Sequence, residues 1–163
     1  MNAEALAARL QAVEDRIAIQ DVVSASTLHS DLNEGARSLA QFTRDAVIDY
    51  SSLSGPGSAG IPIHEHARNL SAFLPGFERR QHCITNFQIT VTGDSALARS
   101  QCHAIHVLGN EVWEARATYY HALVRTQDGW KISVLRAEMI HQSGEQLVER
   151  AREIVAQRRS AVR

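Results

Sequence analysis

One change of hydrophobic period along the chain decides what it can fold into. From His82 onward the sequence has strand character in four long segments: His82 to Thr92, Ser95 to Val107, Glu111 to Arg125 and Trp130 to His141. Turn pairs separate them, Gly93-Asp94, Gly109-Asn110 and Asp128-Gly129, which predicts a meander of long antiparallel strands. Before His82 the period is helical. Leu6, Leu10, Val13 and Ile17 recur at spacings of three and four, with Ile19, Val22 and Val23 beside them, so the first thirty residues read as one helix with that stripe inward. A second short helix is expected over Asn33 to Phe42, a strand over Ala46 to Ser51, and a loop over Ser54 to Gly60, where glycines and a proline accumulate. Pro62 suits the first turn of a further helix reaching about Leu74. The tail from Glu145 places Leu147, Ala151, Ile154 and Val155 on one helical face. Helices, then a strongly curved antiparallel sheet, then a closing helix make an α+β domain with helices on one face. No linker, repeat or low-complexity tract divides residues 1–163, so one domain is expected.

Charge and composition narrow the function. Seventeen Lys and Arg stand against eighteen Asp and Glu, a net charge of −1, which argues against a nucleic-acid binder working through a broad basic face. No apolar run reaches the ~20 residues of a membrane span, and the N-terminus has no basic stretch followed by an apolar one. Two cysteines, Cys83 and Cys102, form no disulfide framework. They read as small buried hydrophobes in a reduced, cytoplasmic protein.

Eight histidines are the unusual number, and the polar residues that interrupt apolar segments point to a site. Continuing the first helix at about 100° per residue puts Asp31 on the Leu6 stripe. Two readings are open there: a solvated cap of the next helix, or a buried carboxylate paired with a histidine. His82 opens a strand, with Asn86 four residues on and on the same face of a regular strand. His103, His106, Thr118, Tyr119, Tyr120 and Arg136 interrupt segments that otherwise look like core, the sequence signature of a small-molecule pocket in a concave sheet. The spacings His64-Glu-His66 and His103-Ala-Ile-His106 raise a metal site. On a helix the first pair points about 200° apart, and on a strand the second pair lies on opposite faces, so no metal is expected.

The order of these features resembles the scytalone dehydratase-like, or SnoaL-like, branch of the nuclear transport factor 2-like superfamily. The residues that carry the likeness are Arg16-Ile-Ala-Ile-Gln-Asp21 followed by Asp31, then Ile48-Asp49-Tyr50, His82-x-x-x-Asn86, Thr92-Gly-Asp-Ser-Ala96 and Asp128-Gly-Trp-Lys-Ile132. The resemblance implies a cone-shaped sheet with the N-terminal helices on its concave face and a pocket between them. It implies that Asp31 and His82 are a catalytic dyad, that Tyr50 polarises a substrate carbonyl, and that His106 is a second pocket histidine. It places Asn86, Thr118, Tyr120 and Arg136 against the substrate. Ser30 and Tyr120 depart from the dehydratase pattern, which has a tyrosine and an asparagine there, and this counts against scytalone as the substrate.

The expected function is therefore a cofactor-independent lyase of the dehydratase type, taking a proton next to a carbonyl in a small cyclic or aromatic-precursor substrate. Isomerisation, polyketide cyclisation or dehydrohalogenation would use the same parts. A non-catalytic ligand binder or the small subunit of a ring-hydroxylating dioxygenase is the alternative from another class. A homo-oligomer is expected, trimer before dimer, because His103 to Val107 and Ala115 to Leu123 carry apolar residues on both alternations.

Overall fold

The computed structural model describes residues 2–161. The chain opens with a long helix α1 (Ala3–Asp31) and a short α2 (Gly35–Leu39). Strand β1 (Phe42–Asp49) follows, then a one-turn α3 (Ser51–Ser54), the two-residue strand β2 (Ile61–Pro62) and α4 (Ile63–Ser71). Four long strands come next: β3 (Arg79–Thr92), β4 (Ser95–Leu108), β5 (Glu111–Thr126) and β6 (Gly129–Ser143). Helix α5 (Leu147–Ser160) closes the described chain.

The strands form one six-stranded sheet in the order β2-β1-β6-β5-β4-β3. β3 to β6 are the expected antiparallel meander. β1 runs parallel to β6, so the sheet is mixed, where the sequence predicts an antiparallel one. The helical connections after β1 carry the chain away from β6, and the meander that follows returns β6 beside β1 in the same direction. The sheet is curved and unclosed, and α1 lies across both β3 and β6. Register shifts help it curve: one in β3 between Thr85 and Gln88, and two along the β5–β6 ladder.

Burial overturns the reading of α1. Leu6, Leu10, Val13 and Ile17 are exposed, at 56, 57, 53 and 54%. The buried face is Asp15, Ile19, Val23 and Ser26, on the opposite side of the helix. A polar pair anchors that face: Arg125 donates through both terminal nitrogens to the Asp15 carboxylate, at 2.8 Å each, and the Trp130 indole N–H donates at 3.2 Å. The Arg125 hydrogen bonds outweigh burial and hold the Asp15 carboxyl down at about 2. Sequence periodicity ranks Asp15 as polar and therefore outward, yet a fully paired carboxylate can sit inside. Cys83 is exposed and only Cys102 is buried, since Cys83 lies on the sheet's outer face beside His103.

α5 docks by close backbone approach. A Cβ built on Gly76 would lie 2.1 Å from the Ala151 carbonyl oxygen, so only glycine fits between the loop after α4 and α5. Gly76→Ala is expected to push α5 outward and to lower stability by about 1–3 kcal/mol, measured as a shift of the urea midpoint without a change of slope.

Candidate active site

The inner face of the strands is lined with small residues at its centre: Cys102 and Ala104 on β4, Ala115 and Ala117 on β5, Ala137 on β6. Short side chains on a curved sheet cannot reach the helices opposite. They leave a cavity of about 800 Å³, within the usual range for small-molecule pockets. The C-terminal end of α1, then α2, α4 and α5 form its other walls.

At one end of the cavity Asp31 meets His82. Asp31 is the last residue of α1. Its Oδ1 lies 2.7 Å from His82 Nδ1, and its Oδ2 accepts the His82 backbone N–H at 2.7 Å. Each carboxylate oxygen thus has a separate partner on one residue. The two side chains are 8% and 14% exposed. Burial pushes the Asp31 carboxyl up, but the His82 ring bond, the His82 charge and the backbone bond together outweigh it, and the net shift is downward. Asp31 is therefore a carboxylate at neutral pH.

The α1 terminus that carries Asp31 is fixed from outside the helix. Asn33 takes a left-handed conformation, φ 61°, and the N–H of Glu34 returns to the His29 carbonyl at 2.8 Å, as helix C-termini commonly do. Arg80 donates to the carbonyls of Ser30 (2.8 Å), Asp31 (3.2 Å) and Leu74 and to Asn33 Oδ1 (2.7 Å). A guanidinium there satisfies the last carbonyls and complements the negative end of the helix. Arg80 precedes His82 by two on the same strand face, so one strand supplies both the histidine and the clamp.

His106 lies 3% exposed next to His82, ring centroids 5.4 Å apart and perpendicular. Trp113 stacks on it at 4.2 Å and Phe77 packs against it at 5.2 Å. Burial, with the nearby His82 charge, pulls its pKa down to about 3, so its ring is neutral. Its Nδ1, the Trp113 indole nitrogen and Arg80 Nε are buried without a hydrogen-bond partner among the described residues. All three residues line the cavity, where a polar ligand atom could satisfy them.

A second polar group faces the cavity from another wall. The Tyr50 hydroxyl lies 3.3 Å from the Tyr119 hydroxyl, and the Tyr50 ring stacks on His66 at 5.0 Å. Burial raises Tyr50 to about 12 and lowers His66 to about 4. Tyr50 thus keeps its proton and can donate it in a hydrogen bond, and His66 is neutral. Burial also raises the Cys102 thiol to about 11, which keeps it protonated and a poor nucleophile.

Four residues expected against the substrate are elsewhere. Asn86 sits in the β3 bulge with φ 56° and donates to Gln101 Oε1 on the outer face at 2.6 Å. The bulge inverts the alternation, so Phe87, Ile89 and Val91 face in, where a regular strand would present Asn86. Arg136 is turned outward in the same way. Trp130 and Ile132 are buried, but pairing passes from Leu123↔Ile132 to Ala122↔Val134, and from there Leu135 and Ala137 face in. Arg136 instead lies over the Tyr120 ring at 4.5 Å and pairs with Glu138 at 2.7 Å. Thr118 and Tyr120 are on the outer alternation of β5; Trp113, Ala115, Ala117 and Tyr119 hold the inner one. Tyr120 donates to Glu138 at 2.9 Å. None of the four lines the cavity.

The histidine pairs are likewise separated. His66 lines the cavity and His64 is exposed. His103 meets Glu114 on the outer face at 2.9 Å, opposite to His106. No helix among the described residues is long and apolar enough to cross a membrane.

Residues 11–136 match the SnoaL-like domain family. The chain belongs to the SnoaL-like family. The uncharacterised protein Rv2910c of Mycobacterium tuberculosis is 35% identical over 94 residues. That stretch covers 56% of this chain and 62% of the relative, so this SnoaL-like protein spans less than two thirds of the curated relatives it matches. Among solved structures, Kfla4162 of Kribbella flavida superposes with a TM-score of 0.78 at 25% identity, over 85% of this chain and 99% of that one. The hexachlorocyclohexane dehydrochlorinase LinA-type3 of Novosphingobium barchaimii superposes with a TM-score of 0.68 at 22% identity, over 83% and 92%. The latter likeness shows the nuclear transport factor 2-like fold.

Proposed function

We propose that this SnoaL-like protein is a cofactor-independent lyase of the dehydratase type, with Asp31 and His82 as its general-base dyad. The observation that carries the reading is the two-point grip of the Asp31 carboxylate on His82, one oxygen on ring Nδ1 and the other on the backbone N–H. That grip sets the ring orientation, holds the proton on Nδ1 and directs Nε2 to the cavity as an acceptor. The fold neighbour named a dehydrochlorinase is, by its name, an enzyme of elimination.

In the proposed reaction His82 Nε2 takes a proton from the carbon beside a carbonyl. The electron pair moves into the C–C bond and onto the carbonyl oxygen. Tyr50, held protonated by burial, donates a hydrogen bond to that oxygen as charge develops. The enolate then re-forms its carbonyl and expels a β-hydroxyl. The proton on the His82 imidazolium leaves with it as water, so substrate equals product plus water and the enzyme returns to its starting state. Asp31 stabilises the imidazolium in between. His106, neutral in its aromatic stack, hydrogen-bonds the departing oxygen without supplying a charge. The aromatic and alanine lining suits a flat, cyclic substrate.

The test is proton exchange in heavy water with a panel of cyclic ketones and β-hydroxyketones, read by mass spectrometry alongside loss of water. Deuterium entry at the carbon next to the carbonyl, abolished in His82→Ala, is the expected result. No exchange with any member, while the same compounds bind, would favour a ligand-binding protein. Tyr50→Phe is expected to slow exchange by about 10–100-fold, because removing one donor leaves Tyr119 and solvent as partial substitutes. An unchanged rate would remove Tyr50 from the mechanism.

A further inference from the structure

The apolar stripe of α1 has no partner within the described fold. Every residue from Ala3 to Glu14 is exposed. A free helix of this length is marginal in water. Leu6, Leu10, Val13 and Ile17 are each more than half exposed, within about 60° of one another around the helix. Leu28, 53% exposed, continues the same line. The buried face of α1 lies diametrically opposite, so the domain leaves the stripe open along its length.

The spacing is 4-3-4, that of a two-stranded helical seam. With Leu6 and Val13 at the d positions and Leu10 and Ile17 at the a positions, the flanks segregate by charge. Arg9 and Arg16 fall at g, and Glu14 and Asp21 fall at e. In a parallel pair of identical helices each g residue faces the e residue five further on in the partner. That sets Arg9 opposite Glu14 and Arg16 opposite Asp21, opposite charges in both cases. An antiparallel pair would set arginine against arginine and acid against acid. Arg16 also donates to the Ile89 carbonyl of its own chain at 3.1 Å, which holds it at the side of the stripe.

We propose that α1 is a self-association surface and that its occupant is the α1 of a second copy of this chain, running parallel. The sheet's outer face, which the sequence suggests as the covered surface, carries polar contacts, Gln88 with Arg99, Asn86 with Gln101, and Tyr120 with Glu138 and Arg136, beside a short apolar row of Leu97, Ala122, Val134 and Val47 on adjacent strands. Val47 and Val134 of that row are 37% and 40% exposed, whereas Leu6, Leu10, Val13 and Ile17 on α1 are each more than half exposed and stand in one line with the charge pattern of a seam on both flanks.

The test uses the whole chain in sedimentation equilibrium. Wild type is expected to associate at micromolar concentration. Leu10→Glu with Val13→Glu should raise the dissociation constant at least about 100-fold. The unfolding midpoint of the monomer should stay unchanged, since neither residue is buried. Arg9→Glu alone should weaken association about tenfold. Mixing it with Glu14→Arg should restore association as a heteromer. Ala3→Cys in a Cys83→Ser background should oxidise to a covalent dimer, because a-position residues meet in a parallel seam. A monomeric wild type at 100 µM would overturn the proposal and leave the stripe to a different protein. So would an oligomer indifferent to the Leu10/Val13 change, or an Ala3→Cys protein that does not cross-link.

Discussion

His82→Ala is expected to lower kcat/KM by about 10³-fold or more and to lower stability by about 1–3 kcal/mol, because the buried Asp31 carboxylate loses its ring partner. His82 lines the cavity, and with Nδ1 held by Asp31 at 2.7 Å its Nε2 is the ring nitrogen left for a substrate. General bases contribute about 10²–10⁴-fold, and removing this one also leaves the Asp31 charge without its ring partner. The other histidines of the cavity are weaker bases, because burial lowers both His106 and His66. Steady-state kinetics on whichever substrate shows exchange gives the number. A loss below tenfold would show that another group takes the proton.

Asp31→Asn is expected to cost about 10²–10⁴-fold while preserving the fold. An asparagine can copy the shape of the grip but inverts one of its hydrogen bonds. Its oxygen accepts the His82 backbone N–H, and its NH2 then donates to Nδ1. The imidazole proton must move to Nε2, and the atom facing the substrate becomes a donor. The loss therefore comes from the tautomer, not from unfolding, and denaturation should show only a small shift. The double variant Asp31→Asn/His82→Ala should be little worse than His82→Ala, because the two residues act as a unit. Additive losses would mean that Asp31 acts independently of His82. If Asp31 were only a helix terminator, its replacement would change stability by about 1 kcal/mol and leave turnover alone.

How much of this was legible in the sequence depends on which physical rule each residue obeys. The meander was, because Gly93-Asp94, Gly109-Asn110 and Asp128-Gly129 are turns whose chemistry is local. All three lie where the long strands reverse. The Asp31–His82 contact was reached by two routes, of which only one has a sound basis. The family resemblance pairs the residues on their order and spacing. The helical-wheel argument put Asp31 on a stripe taken to be buried, and that stripe is the exposed one. Periodicity finds an apolar face but does not say what covers it, and an intermolecular seam gives the same pattern as a core. The four displaced pocket residues have a common cause in alternation. An inserted residue inverts every side chain beyond it, and Asn86 and Arg136 each lie at or past such an insertion. Thr118 and Tyr120 sit on the wrong alternation of a strand whose inner side is marked by Trp113, Ala115 and Ala117. Small residues among large ones were the available signal for a hollow, and they lead to Tyr119. Arg80 carried no signal as a lone arginine, because its partners are backbone carbonyls brought to it by the fold.

The claim on which the account depends is that Asp31 keeps the His82 proton on Nδ1 and leaves Nε2 free as the base. Nitrogen-15 NMR of the imidazole, with His82 assigned by its loss in His82→Ala, reads this without a substrate. At neutral pH the account predicts a protonated, slowly exchanging Nδ1 and an unprotonated Nε2 in the wild type, with the two exchanged in Asp31→Asn. An Nε2-protonated ring in the wild type, or a tautomer that does not respond to Asp31→Asn, would contradict it.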